Sequence, residues 1–118
     1  MSDDYTLAEM MVVVAAREIP KTGVVMLGMG LPVLAGTVAK MLYAPEISIC
    51  TEVGAFDWMP PADITRAPVG IHDLNLNHGS AMVGDMVDAL GSCLMGNNVD
   101  LGILGAAQVD RFGNLNTL

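Results

Sequence analysis

The chain has 118 residues, of which 53% are hydrophobic and 15% charged, and its 13 acids and 5 bases leave a formal net charge of −8. That length suits one domain with one core, and so acidic a chain lacks the cationic footprint that nucleic acid requires. Gly, Pro or a charge interrupts every apolar run before the roughly 20 residues of a membrane span, and Met1-Ser2-Asp3-Asp4 lacks a basic leader, so a cytoplasmic protein without a membrane segment is expected.

Thr6 followed by Glu9 is a capping-box pattern. Leu7, Met10, Met11, Val14 and Ile19 then fall near helical spacing and predict a first helix. Val24 to Met29 reads as a short buried strand. Gly28-Met29-Gly30-Leu31-Pro32 follows, with Pro32 suited to the first turn of a helix that runs to about Leu42 and stops at Ala44-Pro45. Ile47 to Thr51 is the next strand. Strand, glycine turn, helix and strand make a βαβ unit, hence parallel strands and a right-handed crossover.

Residues 55 to 79 carry three prolines and read as irregular, with a short strand near Val69-Gly70-Ile71. Met82, Met86, Ala89, Leu90, Cys93 and Leu94 predict a helix over Met82–Met95. Val99 to Leu104 is a third strand, continued through Gly105–Asp110, before a turn at Arg111-Phe112-Gly113-Asn114. The expected fold class is α/β: three layers around a mostly parallel open sheet, in a single, partial domain over 1–118. Leu115-Asn116-Thr117-Leu118 looks like the start of an element, and three parallel strands are thin. We therefore expect further chain or a second subunit to complete the sheet. Burial against another subunit would also cover the excess apolar surface, so an oligomer is expected.

Ligands of open parallel sheets bind beyond the carboxyl ends of the strands. Two features fall there: Gly28-x-Gly30 after the first strand and Glu52-Val53-Gly54 after the second. Gly-x-Gly alone also serves as a plain tight turn, because the third glycine of a dinucleotide fingerprint and the lysine of a P-loop are missing. Glu52 is equally readable as a solvated strand end. Cys50 and Cys93 read as free buried thiols. Together with His72 and His78 they match no metal-site spacing, so no metal is expected.

Several blocks together resemble a known family. They are Tyr5-Thr6 with its helix, Gly28-Met29-Gly30-Leu31-Pro32, Tyr43-Ala44-Pro45-Glu46, Thr51-Glu52-Val53-Gly54, and the run Gly105 to Asn116. The chain is similar over essentially its whole length to the B subunit of family I CoA-transferases, of the glutaconate CoA-transferase type. The last block is the most specific. By this resemblance a B subunit is about twice as long, and its later part holds another glycine-rich loop near the active site. By this resemblance Glu52 matches the family's nucleophile, and Thr51 is compatible with the Ser or similar small residue usual before it.

The resemblance implies a subunit that moves CoA between an acyl-CoA and a small carboxylic acid. It implies a covalent glutamyl-CoA thioester on Glu52, a partner A subunit, and no cofactor beyond coenzyme A as substrate. Ping-pong covalent catalysis of this kind needs donors for the oxyanions of its tetrahedral intermediates. Gly28, Gly30 and Gly54 are candidate lining because glycine permits close backbone approach. Gln108 is a candidate side-chain donor at the end of the third strand. Val53, Phe56 and the methionines are candidates for excluding water. A CoA-thioester hydrolase subunit of the same fold and a non-catalytic interaction module remain open alternatives.

Overall fold

The computed structural model describes residues 4–68, 70 and 73–117. The first helix, α1, spans Leu7–Glu18. The Glu9 backbone N–H donates to the Thr6 hydroxyl at 3.2 Å, and the Thr6 backbone N–H donates to the Glu9 carboxylate at 2.6 Å. The predicted capping box is thus formed. The exposed stripe is a surprise: Leu7, Met10, Met11 and Val14 lie on the open side. The packed side runs through Val12, Val13 and Ala16, so the helical period holds while the covered face differs.

Strand β1 (Val24–Leu27), helix α2 (Leu31–Leu42) and strand β2 (Ser48–Thr51) form the expected βαβ unit. β1 and β2 pair in parallel, with Leu27 opposite Thr51. Gly36 is what lets α2 lie on β1, because a Cβ there would run into the Leu27 side chain. Lys40 is nearly buried on the same helix; its Nζ donates to the Ile47 carbonyl and stands 3.9 Å from Asp57 Oδ1.

The region expected to be irregular contains a strand. β3 (Ala55–Phe56) folds back antiparallel on β2, with Phe56 opposite Cys50. β4 (Met82–Val83) pairs antiparallel with β3. The single helix expected over Met82–Met95 is therefore divided. Its first residues are strand, and a π-helix occupies Val87–Leu94. Gly84 and Asp85 separate them, and Asp85 and Asp88 cap the π-helix reciprocally through backbone N–H to carboxylate bonds of 3.2 and 2.9 Å. Between β3 and β4, Trp58 is fully buried and its Nε1 donates to the Asn75 carbonyl at 3.2 Å. The strand expected near Val69-Gly70-Ile71 falls largely outside the described residues.

β5 (Leu101–Ile103) pairs in parallel with the other side of β1. The sheet order is β4-β3-β2-β1-β5, with a parallel centre and an antiparallel flank. Asp100 anchors the entry to β5: its carboxylate accepts from the Val24 N–H at 2.8 Å, and its own N–H donates to the Val24 carbonyl. The third strand does not continue through Gly105–Asp110. Residues Gln108–Val109 form β6, paired antiparallel with β7 (Leu115–Asn116) in a separate two-stranded sheet.

Alternation along β1 and β2 sends side chains to two faces. Val25, Leu27 and Ile49 join Ala16, Val33 and Ala39 of the helices, whereas Met26 and Cys50 meet Ala89 of the π-helix. Helices on one face and the π-helix on the other make the three layers. Few methionines enter these cores. Met26 is buried, but Met10, Met11, Met41, Met59, Met82, Met86 and Met95 are exposed.

Candidate active site

The parallel centre brings the carboxyl ends of β1, β2 and β5 to one edge of the sheet. β1 and β2 are neighbours, so the two glycine-bearing turns that follow them meet. β2 ends in a tight reversal. The Gly54 N–H donates to the Thr51 carbonyl at 3.1 Å, and the buried Thr51 hydroxyl accepts from the Ala55 N–H at 3.1 Å. Thr51 thereby shapes the turn, and the chain can return as β3.

Glu52 stands at the tip of this reversal. Its N–H donates to the Leu27 carbonyl at 3.3 Å, extending the β1–β2 ladder by one rung. Its half-buried side chain reaches the first turn, where Oε1 accepts from the Met29 N–H at 3.2 Å. Met29 lies just before α2, whose N-cap is Gly30. The positive end of the helix dipole and a backbone donor together favour a carboxylate at this position.

The glycines have distinct jobs. Gly30 has φ +83°, and the space beside it is open, so conformation alone selects glycine there. Gly54 has φ +97°, and a Cβ would lie 2.6 Å from the Gly84 carbonyl carbon. The Gly84 N–H in turn donates to the Gly54 carbonyl at 2.8 Å. The Glu52 turn is therefore clamped by the loop that enters the π-helix. Gly28 donates its N–H to the Ile103 carbonyl of β5 at 2.9 Å and so joins the third parallel strand to the same edge.

Gln108 belongs to the separate two-stranded sheet, not to the five-stranded sheet that carries these residues. It lies in β6, exposed, and its Oε1 accepts from Asn116 Nδ2 at 3.0 Å. The expectation of a donor on the end of the third strand is corrected, because that strand stops at Ile103 and the chain leaves for a separate hairpin. Val53 and Phe56 are half-buried near the turn. His78 lines an apolar concavity of about 310 Å³ with Met59, Pro60 and Pro61, and His72 lies outside the described residues.

Two participants escape sequence reasoning. The Met29 amide carries no side-chain signal, so only the strand pairing reveals it. Gly84 has a readable signal, a Gly-Asp step after an apolar pair, but it falls inside the predicted helix.

The model of the coenzyme A transferase family matches residues 8–118. The chain belongs to the coenzyme A transferase family. Among curated relatives of this family member, the B subunit of 3-oxoadipate CoA-transferase from Pseudomonas knackmussii is 37% identical over 113 residues, covering 96% of this chain and 42% of the relative. The B subunit of glutaconate CoA-transferase from Acidaminococcus fermentans is 32% identical, covering 97% and 43%. The solved glutaconate coenzyme A-transferase from the same organism superposes with a TM-score of 0.77 at 33% identity, over 96% of this chain and 44% of that one. The decarboxylase AibA/AibB has the same fold, with a TM-score of 0.77 at 31% identity, over 96% and 46%. This coenzyme A transferase chain thus spans less than half the length of the relatives it matches.

Proposed function

We propose that this chain is a single, partial domain of a CoA-transferase B subunit, with Glu52 as the nucleophile that exchanges CoA between an acyl-CoA and a small carboxylic acid. The observation that carries the reading is the Glu52 carboxylate at the carboxyl edge of a parallel sheet, held at Oε1 by the Met29 N–H. Held in this way, the carboxylate is oriented for attack.

A carboxylate is a weak nucleophile, but a thioester carbonyl is activated. Attack by Glu52 on that carbonyl forms a carbon–oxygen bond and expels CoA thiolate, giving an acyl-glutamyl anhydride. The thiolate then attacks the glutamyl carbonyl and releases the original acid, which leaves a glutamyl-CoA thioester. An acceptor acid attacks this thioester, and the same steps run in reverse to give the new acyl-CoA. Gly28, Met29, Gly30 and Gly54 supply the backbone that surrounds the reacting carbonyls, and Val53 and Phe56 help keep water from the anhydride. Gln108 is not given a role in this scheme.

The partner in this reading is an A subunit. The naming of both relatives as B subunits supports this, as does the exposed apolar surface of Leu7, Met11 and Val14 on α1, since such patches mark protein contacts. No helix among the described residues is long and apolar enough to cross a membrane. A cytoplasmic location agrees with two unpaired thiols.

The test is covalent trapping in the complex with the A subunit. Acyl-CoA followed by borohydride should reduce the Glu52 thioester carbonyl to an alcohol, found by peptide mass mapping. An active complex with Glu52 unmodified would overturn the reading. Thioester cleavage that proceeds without any acceptor acid, at the rate seen with one, would replace it with the hydrolase alternative.

A further inference from the structure

Cys50 lies in β2 and is fully buried, while Cys93 lies in the π-helix and is half-buried. Cys50 is buried with Met26 and Ala89 in one apolar cluster between strand and helix, and Cys93 packs against that cluster. Cys93 also lines an open concavity of about 420 Å³ with Phe56, Gly84, Asp88 and Ser92. One cysteine therefore borders an open concavity, and the other is buried in the cluster it packs against.

We propose that Cys50 and Cys93 form a redox-reactive dithiol, which closes to an intrachain disulfide on exposure to a peroxide. Burial, reinforced by the neighbouring Cys93, pushes the Cys50 thiol up to about 12, so Cys93 meets the oxidant first. The Cys93 thiolate attacks a peroxide oxygen: the sulfur–oxygen bond forms, the oxygen–oxygen bond breaks, and hydroxide leaves. Cys50 sulfur then attacks the resulting sulfenic acid. The sulfur–sulfur bond forms, the sulfur–oxygen bond breaks, and the departing hydroxide takes the Cys50 proton as water. In sum, one hydrogen peroxide and two thiols give one disulfide and two waters. An external thiol reverses the bond. The cross-link ties β2, the strand that leads directly to Glu52, to the helix on the opposite face of the sheet.

The native protein treated with dilute hydrogen peroxide, digested without reduction and analysed by mass spectrometry, tests this directly. The expected product is a Cys50–Cys93 peptide pair two hydrogens lighter than its parts and separated by dithiothreitol. Because the fold already holds the sulfurs together, it should form about tenfold or more faster in native buffer than in concentrated urea. In Cys50→Ser, the Cys93 sulfenic acid should persist and be trapped by dimedone. A disulfide that forms as fast in urea, or oxidation of Cys93 in the unaltered protein with Cys50 left free, would overturn the proposal.

Discussion

Glu52 and Met29 are joined across two neighbouring strand ends: the Met29 N–H donates to Glu52 Oε1 at 3.2 Å. A glutamine at position 52 retains a carbonyl oxygen that can accept the same bond, but an amide cannot form the anhydride. Glu52→Gln should leave the melting temperature of the assembled enzyme within a few degrees of the original and abolish transfer. A loss of at least about 10³-fold in kcat is expected for removal of a covalent nucleophile. Retained turnover in the purified complex would exclude Glu52 as nucleophile.

The two positive-φ glycines beside Glu52 should differ in their response to alanine. Gly30→Ala meets open space and bears only the backbone penalty of φ +83° with ψ −129°, about 1–3 kcal/mol. Gly54→Ala adds a collision with Gly84 and Asp85 backbone atoms, so about 3 kcal/mol or more is expected. Urea denaturation of both variants measures the difference, and equal losses would contradict the Gly54–Gly84 clamp.

Lys40 and Asp57 separate a buried hydrogen bond from an exposed ion pair. Lys40→Met leaves the buried Ile47 carbonyl without its Nζ donor, at an expected loss of about 1–3 kcal/mol. Asp57→Asn removes only an exposed partner at 3.9 Å and should change stability by less than about 0.5 kcal/mol. Denaturation of the two variants, side by side, checks the order.

Asp110 organises the turn between β6 and β7. Its carboxylate accepts from the Asn114 side chain and from the Asn114 and Phe112 N–H groups, at 2.7 to 2.9 Å. The Asn114 side chain, first among these, holds the Asp110 carboxyl below its ordinary value. A group depressed in the folded state stabilises above its unfolded pKa, and that contribution is lost as pH falls through the folded pKa. Below pH 3.8, the ordinary value, the hairpin amides should therefore progressively lose protection, measured against their intrinsic exchange rate at each pH. Asp110→Ala should show fast exchange at neutral pH with no acid step of its own. Hydrogen exchange followed by NMR at Phe112 and Asn114 reads both.

Much of the site was legible because its signals are local. Thr6 and Glu9 announced the cap, Gly30 and Pro32 the start of α2, and Glu52-Val53-Gly54 the carboxylate at a strand exit. The hairpin of β2 with β3 was not legible. Ala55–Phe56 is too short for a period, and its pairing follows from the Thr51 hydroxyl and the Gly54 turn. Gln108 was misplaced for a related reason: the run Leu101–Ala107, without a polar side chain, hides the point where the chain leaves the sheet.

The amino-acid order by itself determined the βαβ unit, the capped first helix, and a glutamate stationed between a strand and a glycine. These depend on spacing within a few residues, which the backbone converts directly into hydrogen bonds and faces. Tertiary structure alone decided that β1 lies between β2 and β5, that a methionine amide holds Glu52, that Gly84 closes on Gly54, and that Cys93 comes to rest against Cys50. Those contacts join residues far apart in the chain, and they exist only once burial of the Met26 and Val25 faces has fixed which layers pack on either side of the sheet.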